Sequence, residues 1–364
     1  MSSEHETVVE RGKSNGQLAD SKTPLIRNCW YVAAMAGEIT RELRARTILD
    51  RKIVLYRKED GGVVALQDRC AHRSFPLSKS TLKGDNVVCG YHGIIWAPDG
   101  RCVRIPSQST CPSVVRVKSY PVVEKGPLIW IWMGAPEKAR EKDVPEFSWF
   151  DSKATVGHFH LKCNYLLMHE NLMDLSHFSY LHGSTLGAEG FAEERAVMLN
   201  TDDDTVQYYR EIRDNPVLAG VLPMKLQEQL KGKKTVNRNS VCFVSPAFTT
   251  GVDKITAYDS SGAEVLTTNM HIAHFLTPET QNTTHYYWAG GRDFAQSDSK
   301  EDREYLELMS RLTEQVFAQD KEAGELIQSM SESDCDPDFV ERHVAGDKMG
   351  VAMRRVILKL ANQE

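Results

Sequence analysis

A chain of 364 residues, 41% apolar and 26% charged, has an ordinary globular composition and is long enough for two domains. Its net charge of −6, with no basic stripe, argues against a nucleic-acid partner. The longest apolar run, Leu128–Met133, is strand-length and far too short to cross a bilayer, so no membrane partner is expected.

Residues 1–25 are polar and lack a hydrophobic signal core, which predicts a disordered tail on a cytoplasmic protein. From 26 to 136 the chain reads as short strands and turns. Lys52–Arg57 is a strand, Glu59-Asp60-Gly61-Gly62 a hairpin turn and Val63–Leu66 the return strand. Tyr120–Val123 and Leu128–Trp132 form a second hairpin. Between these hairpins lie Cys70-Ala71-His72 and Cys89-Gly90-Tyr91-His92, sixteen residues apart. Zinc also accepts two cysteines and two histidines, but its common finger order places both cysteines first. The order Cys, His, Cys, His instead suits a 2Fe–2S centre with cysteines on one iron and histidines on the other. Imidazole is neutral where thiolate is anionic, so the histidine-ligated iron accepts an electron more readily. The other six cysteines are scattered and read as free thiols, not as a disulfide framework.

Gly134–Lys142 is a charged, small-residue linker, and the pattern changes beyond it. A strand is predicted over Thr155–Asn164 and a helix over Tyr165–His182. More strands follow near Thr205–Ile212, Ser240–Phe243, Asn269–Leu276 and Thr284–Ala289, then long helices over Glu301–Met330 and Asp347–Leu360. The fold class is α+β, with domains at 26–136 and 137–364. In the first predicted helix, Asp174 and His177 share a face, but His177 and His182 are five residues apart. That is about 140° on a regular helix, so both reach one metal only if the helix is irregular there or ends between them. Two histidines and a carboxylate make the facial triad of non-haem Fe(II) oxygenases. The long helix carries an apolar stripe of Tyr305, Met309, Leu312, Val316, Ala323, Ile327 and Met330, interrupted by Asp320. A carboxylate on such a stripe is costly unless it is salt-bridged or bound to metal.

Arg73, Pro76 and Leu77 after the first Cys/His pair, Gly93 after the second, and the spacing Asn171, Asp174, His177, His182 together carry a family resemblance. Over roughly residues 26 to 360 the chain resembles the oxygenase component of Rieske non-haem iron oxygenases. It looks most like the group of vanillate O-demethylase, toluenesulfonate methyl-monooxygenase and dicamba O-demethylase. The resemblance implies an antiparallel β Rieske domain followed by a helix-grip (START-like) catalytic domain. It implies that Cys70, His72, Cys89 and His92 hold the 2Fe–2S cluster and that His177, His182 and Asp320 hold a mononuclear Fe(II). By the same resemblance Asn171 stands behind the iron site, and Asp174 bridges to a histidine of the neighbouring subunit's cluster in a homotrimer. His274 would contact substrate, a role His271 or His285 could equally fill. Respiratory Rieske proteins carry a loop disulfide at the positions of Phe75 and Tyr91, so the oxygenase type is implied.

The implied activity is O2-dependent hydroxylation of a small, aromatic substrate, with O- or N-demethylation or methyl hydroxylation as outcomes. Aromatic cis-dihydroxylation and a purely electron-carrying Rieske protein are the alternatives. The chain shows no dinucleotide-binding glycine motif, so NAD(P)H electrons are expected through a separate flavin/iron–sulfur reductase or a ferredoxin.

Overall fold

A computed structural model describes residues 18–149, 154–186, 190–200, 204–214, 221–334, 339 and 341–364. The chain divides into two compact units. One comprises Leu25–Glu146 with Thr277–Gln281 and Glu364; the other comprises Phe147–Leu276, Asn282–Gln363 and the described residues before Leu25. Among the described residues no helix is long and apolar enough to cross a membrane.

The first unit extends past the expected boundary at 136. Short 3₁₀ turns at Pro136–Lys138 and Glu141–Asp143 carry it on. Lys125 Nζ fastens the segment by donating to the Val144 carbonyl at 3.2 Å and to Glu146 Oε1 at 2.7 Å. The expected tail differs as well. Residues 1–17 lie outside the described residues, but from Ala19 the chain is anchored, with Ala19 N–H donating to the Arg354 carbonyl at 3.2 Å and Thr23 buried.

Within the first unit the strands are β1 (Trp30–Met35), β2 (Arg44–Ile48), β3 (Arg51–Arg57), β4 (Val63–Gln67), β5 (Thr81–Lys83), β6 (Asn86–Val88), β7 (Ile95–Trp96), β8 (Cys102–Arg104), β9 (Ser119–Tyr120), β10 (Val122–Lys125) and β11 (Leu128–Trp132). They form small antiparallel sheets ordered β1-β11-β10, β2-β3-β4-β9 and β5-β6-β7-β8. Leu66, Leu77, Val87 and Trp96 form a core cluster that also encloses Cys70 and Cys89.

The second unit holds one antiparallel sheet of β12 (Thr155–Leu161), β13 (Val197–Asn200), β14 (Val206–Arg213), β15 (Lys234–Ser245), β16 (Phe248–Tyr258), β17 (Glu264–Pro278) and β18 (Thr284–Arg292), in the order β12-β18-β17-β16-β15-β14-β13. Its helices are α1 (Tyr165–Met173), α2 (Met224–Leu230), α3 (Lys300–Ser333) and α4 (Lys348–Ala361).

The helix expected over Tyr165–His182 is broken. Asn164 caps its start by accepting from the Leu166 N–H, and Asp174 ends it in an extended conformation (φ −134°, ψ 97°). Asp174 Oδ1 then accepts the Ser176 N–H at 3.0 Å and caps a separate 3₁₀ turn, Leu175–Ser179. Asp174 is therefore at once the stop of one helix and the cap of the next turn. This delivers His177 on the turn and His182 just beyond it; the α-helix has ended before both, so it is the irregular path through a 3₁₀ turn that lets them approach one point.

In α3 the buried face differs from the expected stripe beyond Asp320. Val316, Asp320, Gly324 and Gln328 are buried, while Ile327 and Met330 are 46% and 62% exposed. The cause is a close helix approach. A Cβ on Gly324 would lie 3.2 Å from Cys163 Sγ and 3.3 Å from Met168 Sδ, so the contact line with α1 runs at steps of four through a residue with no side chain. Gln328 Oε1 completes it by accepting the Asn164 N–H at 2.9 Å. On its other side α1 is held by α4, where Arg354 Nη2 donates to Glu170 Oε2 at 2.7 Å.

This packing sets the distance between the histidines after α1 and Asp320 on α3. Gly324→Leu is expected to push the helices apart and lower mononuclear iron content severalfold while leaving acid-labile sulfide unchanged. Gly324→Ala needs only a few tenths of an ångström and gains about 1 kcal/mol of helix propensity, so it stays near wild type. Iron and sulfide assays on both variants check this.

Candidate metal centres and substrate cavity

The two Cys/His segments of the first unit fold as matching loops. The Cys70 N–H donates to the Phe75 carbonyl and the Ser74 N–H to the Cys70 carbonyl, both at 2.9 Å. The second loop repeats this: the Cys89 N–H donates to the Ile94 carbonyl at 2.8 Å and the Gly93 N–H to the Cys89 carbonyl at 2.9 Å. Four residues after each cysteine the backbone turns left-handed, at Ser74 (φ 59°) and Gly93 (φ 68°). The cysteines are buried at 3% and 2% exposure, whereas His72 and His92 are exposed with ring centroids 4.7 Å apart. Burial holds the Cys70 thiol above its ordinary pKa, with neighbouring Cys89 adding to the rise. Two thiols below and two imidazoles at the rim are the donor set of a cluster that takes thiolate on its inner iron and imidazole on its outer one. Phe75 and Tyr91 face each other as an aromatic pair at 6.0 Å, and Tyr91 packs on the His92 ring at 3.8 Å.

In the second unit His177, His182 and Asp320 each offer an atom such that all lie within 4.8 Å of one another. Asp320 Oδ1 is 3.1 Å from His182 Nε2 and 3.5 Å from His177 Nε2. Both Nε2 atoms are buried without a well-aligned hydrogen-bond partner. The His182 approach is short enough for a hydrogen bond but poorly directed for one, so lone pairs converging on a common point is the better description. Each ring is held from behind. His177 Nδ1 lies 2.7 Å from the Asp174 carbonyl, and His182 Nδ1 lies 3.0 Å from Gln319 Oε1. Acceptors at Nδ1 place the proton there and leave Nε2 as the free donor toward a metal.

Asp320 is 3% exposed, and Asn171 Nδ2 donates to its Oδ1 at 2.8 Å. Burial works to raise its pKa, but the two histidines and Asn171 outweigh it and hold the carboxyl below the ordinary range. Burial pushes His177 down; at His182 burial acts downward as well, but the Asp320 contact wins and its pKa is raised. An anionic carboxylate and two imidazoles with inward lone pairs fit a divalent metal.

Asp174 contacts His177 through its backbone. Its carboxylate is held by the Arg210 Nη2 donor at 3.1 Å and by Ser176 Oγ at 3.0 Å. His274 is buried, its Nδ1 2.7 Å from the Tyr286 hydroxyl and its ring against Phe317; burial pushes its pKa down to about 4. It lines a cavity of about 200 Å³ that also takes in His177, His182 and Asp320. His271 reaches this lining too but stacks on Trp149, and His285 lies against His158. Phe243, Phe248, Tyr286, Tyr287 and Trp288 are buried sheet core. Arg210 and Gln319 were not singled out from sequence; Gln319, directly before Asp320, could have been found by asking what orients the ligands. Asn237-Arg238-Asn239 lies within β15 with both asparagines buried and Arg238 paired outward with Glu211.

Paired Cys/His loops in one unit and a two-histidine, one-carboxylate cluster in the other define the class, a Rieske-type oxygenase. Comparison with known proteins agrees over both units. Residues 29–121 match the Rieske [2Fe-2S] domain and residues 161–363 match the vanillate O-demethylase oxygenase C-terminal domain. The chain belongs to the Rieske non-haem iron oxygenases of the vanillate O-demethylase group, as an oxygenase component. It is 34% identical over 319 residues to the iron–sulfur subunit of a toluene-4-sulfonate monooxygenase system from Comamonas testosteroni, covering 80% of this chain and 90% of that one. It is 34% identical over 290 residues to the oxygenase component of dicamba O-demethylase from Stenotrophomonas maltophilia, covering 76% and 81%. Crystal structures of dicamba monooxygenase bound to dicamba, and with non-heme iron and dicamba, align with TM-scores of 0.80 and 0.74 at 28% and 27% identity, covering 93% of this chain and 98% of theirs.

Gln319→Leu removes the acceptor behind His182 without touching a ligand atom. Mononuclear iron affinity is expected to fall about 10–100-fold, read by competition with a chelator, with the visible spectrum of the cluster intact. Unchanged affinity would show that Gln319 does not orient the ring.

Proposed function

We propose that this chain hydroxylates a methyl, methoxy or N-methyl carbon of a small aromatic compound, using O2 and electrons that originate in NAD(P)H. The observation that carries the reading is the convergence of His177, His182 and Asp320 on one point at the wall of a mainly apolar cavity. Cys70, His72, Cys89 and His92 would hold the 2Fe–2S cluster, and His177, His182 and Asp320 the mononuclear iron. When bound, these groups pass single electrons and activate O2 for insertion into a C–H bond.

The chain's own residues prepare that chemistry. The Asp174 carbonyl and Gln319 hold the imidazole protons at Nδ1, and Asn171 holds the Asp320 carboxylate in place. Leu172, Leu175, Phe178, Val316 and Phe317 wall the cavity with apolar surface that excludes bulk water and presents a small apolar volume to a ring. Hydroxylation of a methoxy or N-methyl carbon leaves a hemiacetal or hemiaminal that releases formaldehyde; hydroxylation of a ring methyl leaves an alcohol.

The relatives named above are components of multi-component systems, which supports a separate reductase or ferredoxin as electron donor. The family resemblance supports a homotrimer in which Asp174 serves the electron path between subunits. Its side chain, 21% exposed and next to the His177 turn, suits that role. The free thiols suit a cytoplasmic enzyme.

The test is turnover under 18O2 with a surrogate reductase and a panel of aryl methyl ethers, N-methyl anilines and toluenes. The toluenes are expected to give an alcohol with one labelled oxygen, and the ethers and amines to lose the label with formaldehyde, leaving an unlabelled phenol or aniline. Two labelled oxygens in a cis-diol would replace this reading with dihydroxylation.

A further inference from the structure

The cavity beside the iron site is mainly apolar, but one wall carries the polar side chains of Asn239 and Asp253. Arg210 on β14, Asn239 on β15, Asp253 on β16 and Met270 on β17 stand directly opposite one another in register. Directly paired residues of an antiparallel sheet project on the same face. Asn239, Asp253 and Met270 all line the cavity. Asn239 is 4% exposed and its Oδ1 is buried without a hydrogen-bond partner.

Asp253 is the less expected member. It is enclosed by protein yet retains some accessible surface, as a side chain facing an internal cavity does. It makes no hydrogen bond or ion pair among the described residues, and burial alone raises its carboxyl to about 7. The two arginines of this region have other partners, although the Nε of each is buried without a hydrogen bond. The Arg210 guanidinium donates to Asp174 and to the Ala192 and Glu194 carbonyls. Arg292, which lines the same cavity, donates to the Ala295 carbonyl at 3.1 Å and lies over the Tyr305 ring. A carboxyl that faces a largely apolar cavity without a partner is costly. A carboxylate accepts, so the partner that relieves the cost is a donor.

We propose that Asp253 is the centre of a donor-recognising subsite, so that the natural substrate carries an ammonium or comparable N–H or O–H group and not a carboxylate or sulfonate. This rests on the reading of the cavity as the binding site for a small aromatic substrate and specifies its polar substituent. An anionic substituent would meet the Asp253 carboxylate, whereas a cation supplies the partner it lacks.

The test compares three ring compounds of similar shape on the metal-loaded, full-length protein by anaerobic calorimetry: 4-methoxybenzylamine, 4-methylanisole and 4-methoxybenzoate. The wild type is expected to bind the amine at least about tenfold more tightly than the benzoate. Asp253→Asn, which keeps shape and removes charge, should bring that ratio to within about threefold through weaker amine binding, with 4-methylanisole unaffected. Asp253→Glu should retain the preference. Tighter binding of the benzoate by the wild type would overturn the proposal, since it would mean that a protonated Asp253 serves an anion. So would an amine preference that survives in Asp253→Asn. Binding of 4-methylanisole with no amine preference defeats the subsite while leaving the aromatic cavity standing. A wild type that binds none of the three defeats the aromatic reading and this inference together. The wild-type ratio needs no variant to fold.

Discussion

The interaction on which the second unit depends is the burial of the Asp320 carboxylate against two imidazoles. A carboxylate at 3% exposure on a packed helix is expensive in isolation. Here it receives one hydrogen bond from Asn171 and faces two histidine lone pairs, an arrangement that a divalent cation completes. The surrounding structure serves that convergence. Asp174 stops α1 and starts the turn that carries His177, Gln319 turns His182 inward, and Gly324 lets α3 come close enough to deliver Asp320. Each of these is local, and together they bring groups from two separate helical segments to one point.

The first unit solves a different problem with different means. Its four ligand candidates come from two loops whose backbone hydrogen bonds match bond for bond, with a left-handed residue at the same place in each. Strands on either side hold the loops, and the cysteines are part of the hydrophobic core while the histidines stay at the surface. A buried thiol pair and an exposed imidazole pair give the two loops an inside and an outside. The Phe75–Tyr91 ring contact joins one loop to the other.

Much of this was legible in the sequence, and the reasons differ by element. The Cys/His loops could be read because their chemistry is local: order and spacing name the centre. Asp320 could be read because a carboxylate on an apolar stripe contradicts the cost of burial. The break at Asp174 could only be framed as a condition, since the 140° between His177 and His182 demanded an interruption without locating it. Ile327 and Met330 were misplaced because a periodic stripe presumes that apolar residues mark the contact, whereas Gly324 and Gln328 mark it here. Arg210 and Asp253 were out of reach because their meaning lies in cross-strand register, which brings residues of separate strands onto one face.

Two distinct metal centres in one chain, with Asp320 at the second, are tested most directly by counting iron and acid-labile sulfide on anaerobically purified wild type and Asp320→Ala. About three irons and two sulfides are expected per wild-type chain, and about two of each in the variant. About two irons in both proteins after iron reconstitution, or zinc without sulfide, would contradict this.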